Sequence, residues 1–433
     1  MNNFSLTIIS LVTCILVGSI FIGLSLRFGK IRFFSISSMA IFLVTLPLSG
    51  IAHYLGGEYS FRGYVDLRES NPANGPLNAA LMCMIILCVL LIGSSRSTQE
   101  TFVRLRQYRS IRHLFLIAIA FSVLGFVARL KTSSYVQSLS IVRVVSLDGG
   151  NARYAYLSVW LIWGLLFLSW GLFERFRKFL SYGGFVIFIL FSSLTWYFLA
   201  WSGSRFLPLL FSSIFLIIFW KDFGRYKRRF IAVYFVLTIF LVSVLTTSRI
   251  ESLSYGKNLP SVLGFFDWQV GRFSIFARVI EATALNGLAN GETFLFTMQQ
   301  TANGILRLVG FTNQALSPDN LSISQYLGDV IYGDSHISYL ASGMLIESYL
   351  NFGLLGLLTF CILVVYLLNL LQKRFNLARS TTHRMLYLYW GFSLISCVYL
   401  SSSLSFVGYF LYYPVPLYLA VIYERKSSPW RQS

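Results

Sequence analysis

The stretch from residue 341 to residue 358, ASGMLIESYLNFGLLGLL, decides how this chain of 433 residues is arranged. It opens a hydrophobic segment of span length, 341–371, and carries an ionisable residue, Glu347, near its start. The segment before it, 249–340, is the one long part of the chain that is too polar to cross a membrane. A chain made mostly of spans, with one large polar loop, is expected to keep its chemistry in that loop.

The composition excludes a soluble globular protein, because 56% of the residues are hydrophobic, 12% are charged and the mean hydropathy is +0.68. A net charge of +19 would indicate nucleic acid as the partner of a soluble protein. Here the Lys and Arg residues lie in short connections between apolar runs of about 20 residues, the length of a membrane span. Membrane lipids are therefore the expected partner, and nucleic acid is not. All five cysteines lie in apolar runs, which argues against a disulfide framework or a thiolate metal site.

The hydropathy pattern predicts an all-α, polytopic integral membrane protein with about 11 transmembrane helices. The predicted spans are 5–26, 33–54, 77–93, 113–130, 154–173, 180–200, 206–220, 230–248, 341–371, 385–404 and 406–423. The positive charge lies in the connections on one face, which the positive-inside rule makes cytoplasmic. The chain then divides into N-terminal transmembrane helices (1–248), a large outer loop with short helices (249–340) and C-terminal transmembrane helices (341–433).

The long loop contains one histidine, His336, in the sequence GDSHIS (333–338). A neutral imidazole can take a proton from a sugar hydroxyl at ambient pH. A lone histidine in a loop is more often a solvated residue, but this one precedes a span that bears Glu347. An ionisable residue within a membrane segment is a functional hypothesis by default. The candidate catalytic residues are therefore His336, Glu347 and Asp334, with Asp334 orienting the imidazole.

Four arginines are predicted at the outer membrane surface. Arg205 and Arg249 lie at the outer ends of spans, where they could equally be snorkelling anchors. Arg272 lies in an apolar, interfacial helix and has no acidic residue three or four positions away. Arg278 has Glu281 three residues on, so a local ion pair is an alternative explanation for it.

Arginines that converge at the outer surface suit a diphosphate, because the planar guanidinium binds phosphate oxygens at two points. They can also stabilise that diphosphate as it leaves, without a metal. The chain has no Gly-rich phosphate loop, no HExxH, no GxSxG and no acidic cluster suited to a divalent metal. Neither a metal nor a cofactor is predicted.

Three local motifs follow one another on the predicted outer side. They are SGSR (202–205), GRFSIF (271–276) followed by NGLANG (286–291), and His336 followed by Glu347 and NFGLLG (351–356). Their order resembles the O-antigen polymerase and O-antigen ligase superfamily, whose members act on undecaprenyl-diphosphate-linked glycans at the outer face of the bacterial inner membrane. The resemblance covers residues 200 to 360, and the earlier spans match only in kind.

The resemblance implies that Arg205 and Arg272 hold the diphosphate and that His336 is the base for the acceptor hydroxyl. It favours a polymerase, a metal-independent glycosyltransferase of lipopolysaccharide biosynthesis with its active site on the periplasmic side. Its substrates would be undecaprenyl-diphosphate-linked oligosaccharides, and a polysaccharide chain-length regulator is a partner that stays open. The Ile-Ser that follows His336 differs from the Asn common in ligases, which puts the ligase second.

Two further alternatives come from other classes of protein. A flippase for the lipid-linked unit should have paired halves and polar residues deep in several spans, whereas these spans are apolar. A metal-dependent lipid-phosphate-sugar transferase should have an acidic pair in the first outer loop, which contains only the separated Glu58, Asp66 and Glu69.

Overall fold

The computed structural model describes most of the predicted helical segments of the chain. The described residues are 3–27, 33–56, 67, 75–95, 111–136, 149–176, 187, 190–191, 194, 206–218, 263, 271–308, 323–332, 342–401 and 403–426. Within these residues the structure is helical and contains no strand, which confirms the predicted all-α class.

The helices are numbered in chain order. They are α1 (Asn3–Arg27), α2 (Phe33–Leu43), α3 (Ser49–Leu55), α4 (Gly75–Ser95), α5 (Ile111–Val136), α6 (Gly149–Phe176), α7 (Phe206–Ile218), α8 (Phe273–Asn286), α9 (Glu292–Leu308), α10 (Ile323–Tyr332), α11 (Met344–Leu377), α12 (Thr381–Tyr399), α13 (Ser403–Val407) and α14 (Val415–Lys426). Two π-helical turns, Val44–Leu48 and Gly408–Tyr412, join α2 to α3 and follow α13.

Five stretches among the described residues are long and apolar enough to cross a membrane, since about 20 helical residues cover 30 Å of hydrocarbon. They are Asn3–Arg27, Phe33–Leu55, Gly75–Ser94, Leu114–Lys131 and Met344–Leu377. Each coincides with a predicted span, and the set is consistent with a membrane protein. The predicted spans 180–200 and 230–248 lie largely outside the described residues, so the count of about 11 stays a prediction.

The outward faces of these helices are apolar. On α5, Leu116, Val123 and Leu130 recur every second turn and are 59%, 55% and 56% exposed. On α11, Leu355 and Ile362 are 75% and 61% exposed. Contiguous apolar faces of this kind are rare on soluble monomers and suit contact with lipid.

The chain divides into two compact units. The first contains residues 1–100, 255–373 and 391–407, and the second contains 101–254, 374–390 and 408–433. The predicted division at residues 248 and 340 concerns sides of a membrane, which compactness does not address, so it stays a prediction.

In the second unit, small residues let α5 and α6 approach closely. A Cβ on Gly164 of α6 would lie 2.6 Å from the backbone nitrogen of Ser122 on α5, and 2.8 Å from the carbonyl oxygen of Ala118. Small residues at contact points are typical of helix packing in membranes. Beside this pair, the Trp163 ring packs edge-on against Phe211 of α7, with ring centroids 4.8 Å apart.

In the first unit, the helix formed by α2 and α3 is interrupted by the π-helical turn Val44–Leu48, which contains Pro47. Proline lacks an N–H and disturbs the regular bonding of a helix. At this turn the carbonyl oxygen of Thr45 accepts a hydrogen bond from the Ser49 hydroxyl at 2.6 Å and one from the backbone N–H of Arg272 at 2.8 Å. The start of α8 is therefore attached to this turn.

The long helix α11 is interrupted at Gly353, whose φ of 62° and ψ of −149° are not helical. A Cβ on Gly356 would lie 2.5 Å from the carbonyl oxygen of Ser348, although a straight helix separates residues eight apart by about 12 Å. The chain therefore bends back sharply at Gly353. The part after the bend is about 36 Å long at 1.5 Å per residue, which is enough for a membrane span.

Candidate functional site

Three of the sequence-predicted site residues lie in the described part of the chain: Arg272, Arg278 and Glu347. The other four lie outside the described residues, and their roles remain predictions. They are Arg205, Arg249, Asp334 and His336.

Arg272 is the residue immediately before α8, and its backbone is not helical (φ −132°, ψ −2°). Its N–H donates to Thr45 and its own carbonyl oxygen accepts the Phe276 N–H at 2.9 Å, so both neighbouring elements fix the backbone. The guanidinium Nη1 donates to the Gly271 carbonyl oxygen at 2.6 Å, and Nη2 lies 3.5 Å from the Leu400 carbonyl oxygen. The side chain is half-buried. Among printed contacts its neighbours are carbonyl oxygens, which leave the positive charge of the guanidinium intact.

Arg278 forms the local ion pair that its sequence spacing indicates. Its Nη1 lies 3.0 Å from Glu281 Oε2 across one helical step, and the two side chains are 26% and 16% exposed. The Glu281 side chain packs against Gly75 at the start of α4, because a Cβ on that glycine would lie 2.5 Å from it. This ion pair makes Arg278 the less available of the two described arginines for an anionic substrate.

Glu347 lies one turn into α11 and is fully buried. Its Oε1 accepts hydrogen bonds from the hydroxyls of Thr293 (3.0 Å) and Ser403 (2.7 Å), and its Oε2 accepts the Ser403 N–H (2.9 Å). A buried carboxyl group requires such donors, because leaving it without them costs several kcal/mol. The donors come from α9 and α13, so Glu347 connects three helices.

Asn351 lies one turn further along α11 and is also fully buried. Its Nδ2 donates to Thr293 Oγ1 at 2.7 Å and to the Glu347 carbonyl oxygen at 2.8 Å, while its Oδ1 accepts the Gly291 N–H at 2.9 Å. The amide therefore satisfies the first turn of α9 and attaches it to α11. This position of Asn351 next to Glu347 matches the motif that the sequence analysis identified.

The turn between α8 and α9, residues 287–291, needs its glycines. Gly287 and Gly291 have φ of 83° and 91°, and Asn290 has φ of 46°, values that L-residues with larger side chains rarely adopt. The N–H of Ala289 donates to the Leu350 carbonyl oxygen at 3.0 Å, just before the interruption at Gly353. The turn thus satisfies a carbonyl group that the broken helix leaves without its usual partner.

Ser403 is a site residue that the sequence analysis missed. The predicted span 385–404 passes through it, whereas in the structure α12 ends at Tyr399 and α13 begins at Ser403. Besides its two bonds to Glu347, its Oγ lies 2.6 Å from the Thr297 hydroxyl. The run of small hydroxyl residues in YLSSSLS (399–405) was the available signal, because serines at a helix end often cap or terminate helices.

A groove of about 490 Å³ opens beside Ser403 in the first unit. Its apolar lining includes Phe294, Met298, Met344 and Phe406, and the hydroxyl-bearing residues in the lining include Thr297 and Ser403. An apolar groove that borders a buried polar cluster can take an amphiphile, with hydrocarbon in the groove and polar groups beside the cluster.

A different polar cluster lies in the second unit, where α14 meets the start of α12. Ser380 caps α12 by accepting the His383 N–H at 3.2 Å, and the Thr382 hydroxyl donates to Glu424. Burial opposes ionisation of Glu424, but hydrogen bonds from His383, Thr382 and Ser380 outweigh it and hold the pKa of this carboxyl below its usual range. This arrangement joins two helices.

Comparison of the chain with protein-family models, with curated proteins and with solved structures gives no match. The functional argument therefore depends on the residues and on their geometry.

Proposed function

We propose that this chain is a polytopic glycosyltransferase that joins undecaprenyl-diphosphate-linked oligosaccharide units into O-antigen or a related surface polysaccharide. One observation carries the proposal: within an apolar helical unit, Arg272 and Glu347 are both in contact with the short segment from Leu400 to Ser403. A cationic group and a buried carboxyl group at helix interruptions are costly in such a unit and are retained for function by default.

The proposed reaction transfers a growing glycan from its lipid diphosphate to a hydroxyl of an incoming lipid-linked unit. The bond between the anomeric carbon and the diphosphate oxygen breaks, and the electron pair leaves with the diphosphate. The acceptor oxygen forms the new bond to that carbon and its proton passes to a base. The two-point guanidinium contacts of Arg205 and Arg272, with Arg249 and Arg278 nearby, would stabilise the departing charge.

The proposed base is His336, oriented by Asp334. The alternative base, Glu347, has both oxygens occupied by donors from the protein interior, a geometry that favours a positioning role. Holding two lipid-linked substrates together contributes further, because correct positioning lowers the barrier by several kcal/mol.

The proposal places about 11 spans in the bacterial inner membrane and the 249–340 loop on the periplasmic side. The one-sided distribution of Lys and Arg supports this orientation. The exposed Asn290 provides a test when changed to cysteine in a variant without the native cysteines. An impermeant thiol reagent added to whole spheroplasts should label it. Labelling only after the inner membrane is permeabilised would contradict the orientation.

The activity test uses purified protein in liposomes with a lipid-linked repeat unit, and gel analysis of the products. We expect Arg272→Ala to abolish chain extension. Arg272→Lys should restore it poorly, because lysine lacks the two-point geometry. Arg374→Ala is the matched control, since this arginine is exposed near the other end of α11. Normal long products from Arg272→Lys would refute the diphosphate role.

A deletion strain separates the polymerase from its nearest alternative, the ligase that transfers polymer to lipid A-core. Loss of a polymerase should leave lipid A-core carrying one repeat unit, whereas loss of a ligase should leave bare core. Unlinked units retained on the cytoplasmic side would instead indicate a flippase.

A further inference from the structure

Several helix interruptions of the first unit meet at one level of the stretch Phe33–Leu55. The Thr45 carbonyl oxygen accepts the Arg272 N–H just before α8 begins. Thr45 lies about 18 Å along the helix from Phe33 and about 15 Å from Leu55, at 1.5 Å per residue. If this helix spans the bilayer, Arg272 lies about half-way through it.

The end of α12 lies near the same level. The Tyr399 hydroxyl is 3.1 Å from the Ser38 hydroxyl, and the Tyr399 ring packs against Phe42 with ring centroids 6.3 Å apart. The residue before α11, Gly343, has φ of 81°, and a Cβ there would lie 2.6 Å from the Val398 carbonyl oxygen. The starts of α8 and α11 thus lie against the end of α12. Non-helical backbone at membrane depth is tolerated where it is enclosed by protein or lines a cavity.

The segment from Leu400 to Ser403, here called the α12–α13 turn, contacts both functional groups from opposite ends. Its first residue directs a carbonyl oxygen towards the Arg272 guanidinium at 3.5 Å. Its last residue donates through N–H and Oγ to the two oxygens of Glu347. The N–H groups of Leu400 and Ser401 both donate to the Ser396 carbonyl oxygen at 2.8 and 3.0 Å, which holds the start of the turn to α12.

We propose that the α12–α13 turn sets the position of the Arg272 guanidinium relative to Glu347, and that Ser403 is a positioning residue for the transfer reaction. This inference depends on the proposed function. Two of the three hydrogen bonds to Glu347 come from Ser403, and the Ser403 Oγ also reaches Thr297 at the groove. Loss of this hydroxyl releases Glu347 from the turn on one side and leaves Arg272 contacting a turn that is no longer fixed.

The test compares Ser403→Ala, Ser403→Thr and Ser393→Ala with the wild type in the liposome assay. Ser403→Thr keeps the N–H and the hydroxyl. Ser393 is the matched control, a fully buried serine of α12 whose hydroxyl has no hydrogen-bond partner in the structure. The measurements are kcat, KM for the lipid-linked unit, the pH–rate profile and elution in size-exclusion chromatography.

We expect Ser403→Ala to lower kcat about 10- to 100-fold, the effect of losing one hydrogen bond to a carboxylate, with KM little changed and the pH–rate profile shifted. Ser403→Thr should recover most of the rate, and Ser393→Ala should behave as the wild type. Unchanged kcat and pH profile in Ser403→Ala would overturn the inference. So would a loss that Ser403→Thr does not rescue or that Ser393→Ala shares, because either result indicates packing alone. A wild type that makes no polymer would refute the proposed function and the inference with it.

Discussion

The interruption of α11 predicts a large difference between two chemically identical substitutions. At Gly353 the backbone (φ 62°, ψ −149°) lies in a region that essentially only glycine occupies. A Cβ there would meet only the Leu288 methyl groups at 3.6 Å, which is ordinary contact, so Gly353→Ala adds strain without a clash. Strain of this kind costs about 1–3 kcal/mol and the stiffer unfolded chain returns about 0.4–1 kcal/mol, which leaves a net loss of roughly 1–2 kcal/mol.

Gly23 on α1 is the matched control. It is helical, and a Cβ there would meet nothing within 4 Å. Gly23→Ala should therefore stabilise the protein by about 0.5–1 kcal/mol, the usual difference between the two residues within a helix. The two variants should differ from each other by about 2–3 kcal/mol in the free energy of unfolding, with opposite signs relative to the wild type.

The assay is reversible unfolding in mixed detergent micelles titrated with sodium dodecyl sulfate and followed by tryptophan fluorescence. Gly353→Ala should unfold at lower detergent fraction than the wild type and Gly23→Ala at higher. A Gly353→Ala variant that is as stable as Gly23→Ala would mean that residue 353 is helical. The sharp bend, and with it the arrangement of the Glu347 network, would then be refuted.

Three further outcomes are expected. Asn351→Ala leaves the buried Gly291 N–H without its acceptor and should destabilise the protein by about 2–4 kcal/mol in the same unfolding assay; a loss below 0.5 kcal/mol, flagged here as about the error of the assay, would contradict the network. Arg278→Gln should reduce chain extension less than Arg272→Gln, because Glu281 already occupies the Arg278 guanidinium; equal losses would contradict this ranking. The lowered pKa of Glu424 gives stability that is present at neutral pH and lost as the pH falls through that pKa, so Glu424→Gln should lose less thermal stability than the wild type between about pH 6 and about pH 3.

The hydropathy pattern was sufficient to predict the helical class and the five stretches that can cross a membrane. A run of about 20 apolar residues has few other stable states, because its backbone groups must bond within the segment. The Arg278–Glu281 ion pair was also predictable, since residues three apart on a helix are neighbours. The turn at 287–291 followed from its glycines for the same local reason.

The interruptions of the helices were not predictable from hydropathy. Gly353 stands within an apolar sequence, NFGLLGLL, in which a continuous helix satisfies the same pattern. What stabilises the bend is distant in the chain: the Ala289 N–H bonds to Leu350 and the Gly291 N–H bonds to Asn351. The role of Ser403 depends in the same way on Glu347, which lies 56 positions earlier. Local patterns contain no information on such pairings.

The π-helical turn at Val44–Leu48 makes this chain sensitive to length at one point. A π turn holds one residue more than the α-helical turn it replaces, so deletion of a single residue there would allow regular winding. Every later position on that helix would then rotate by about 100° about the axis. Gly50, which now gives room to the Phe273 ring, would face elsewhere, and the ring would meet a bulkier neighbour. A one-codon deletion at this turn should therefore disrupt the docking of α8, whereas most conservative replacements at the same positions would preserve the helical phase.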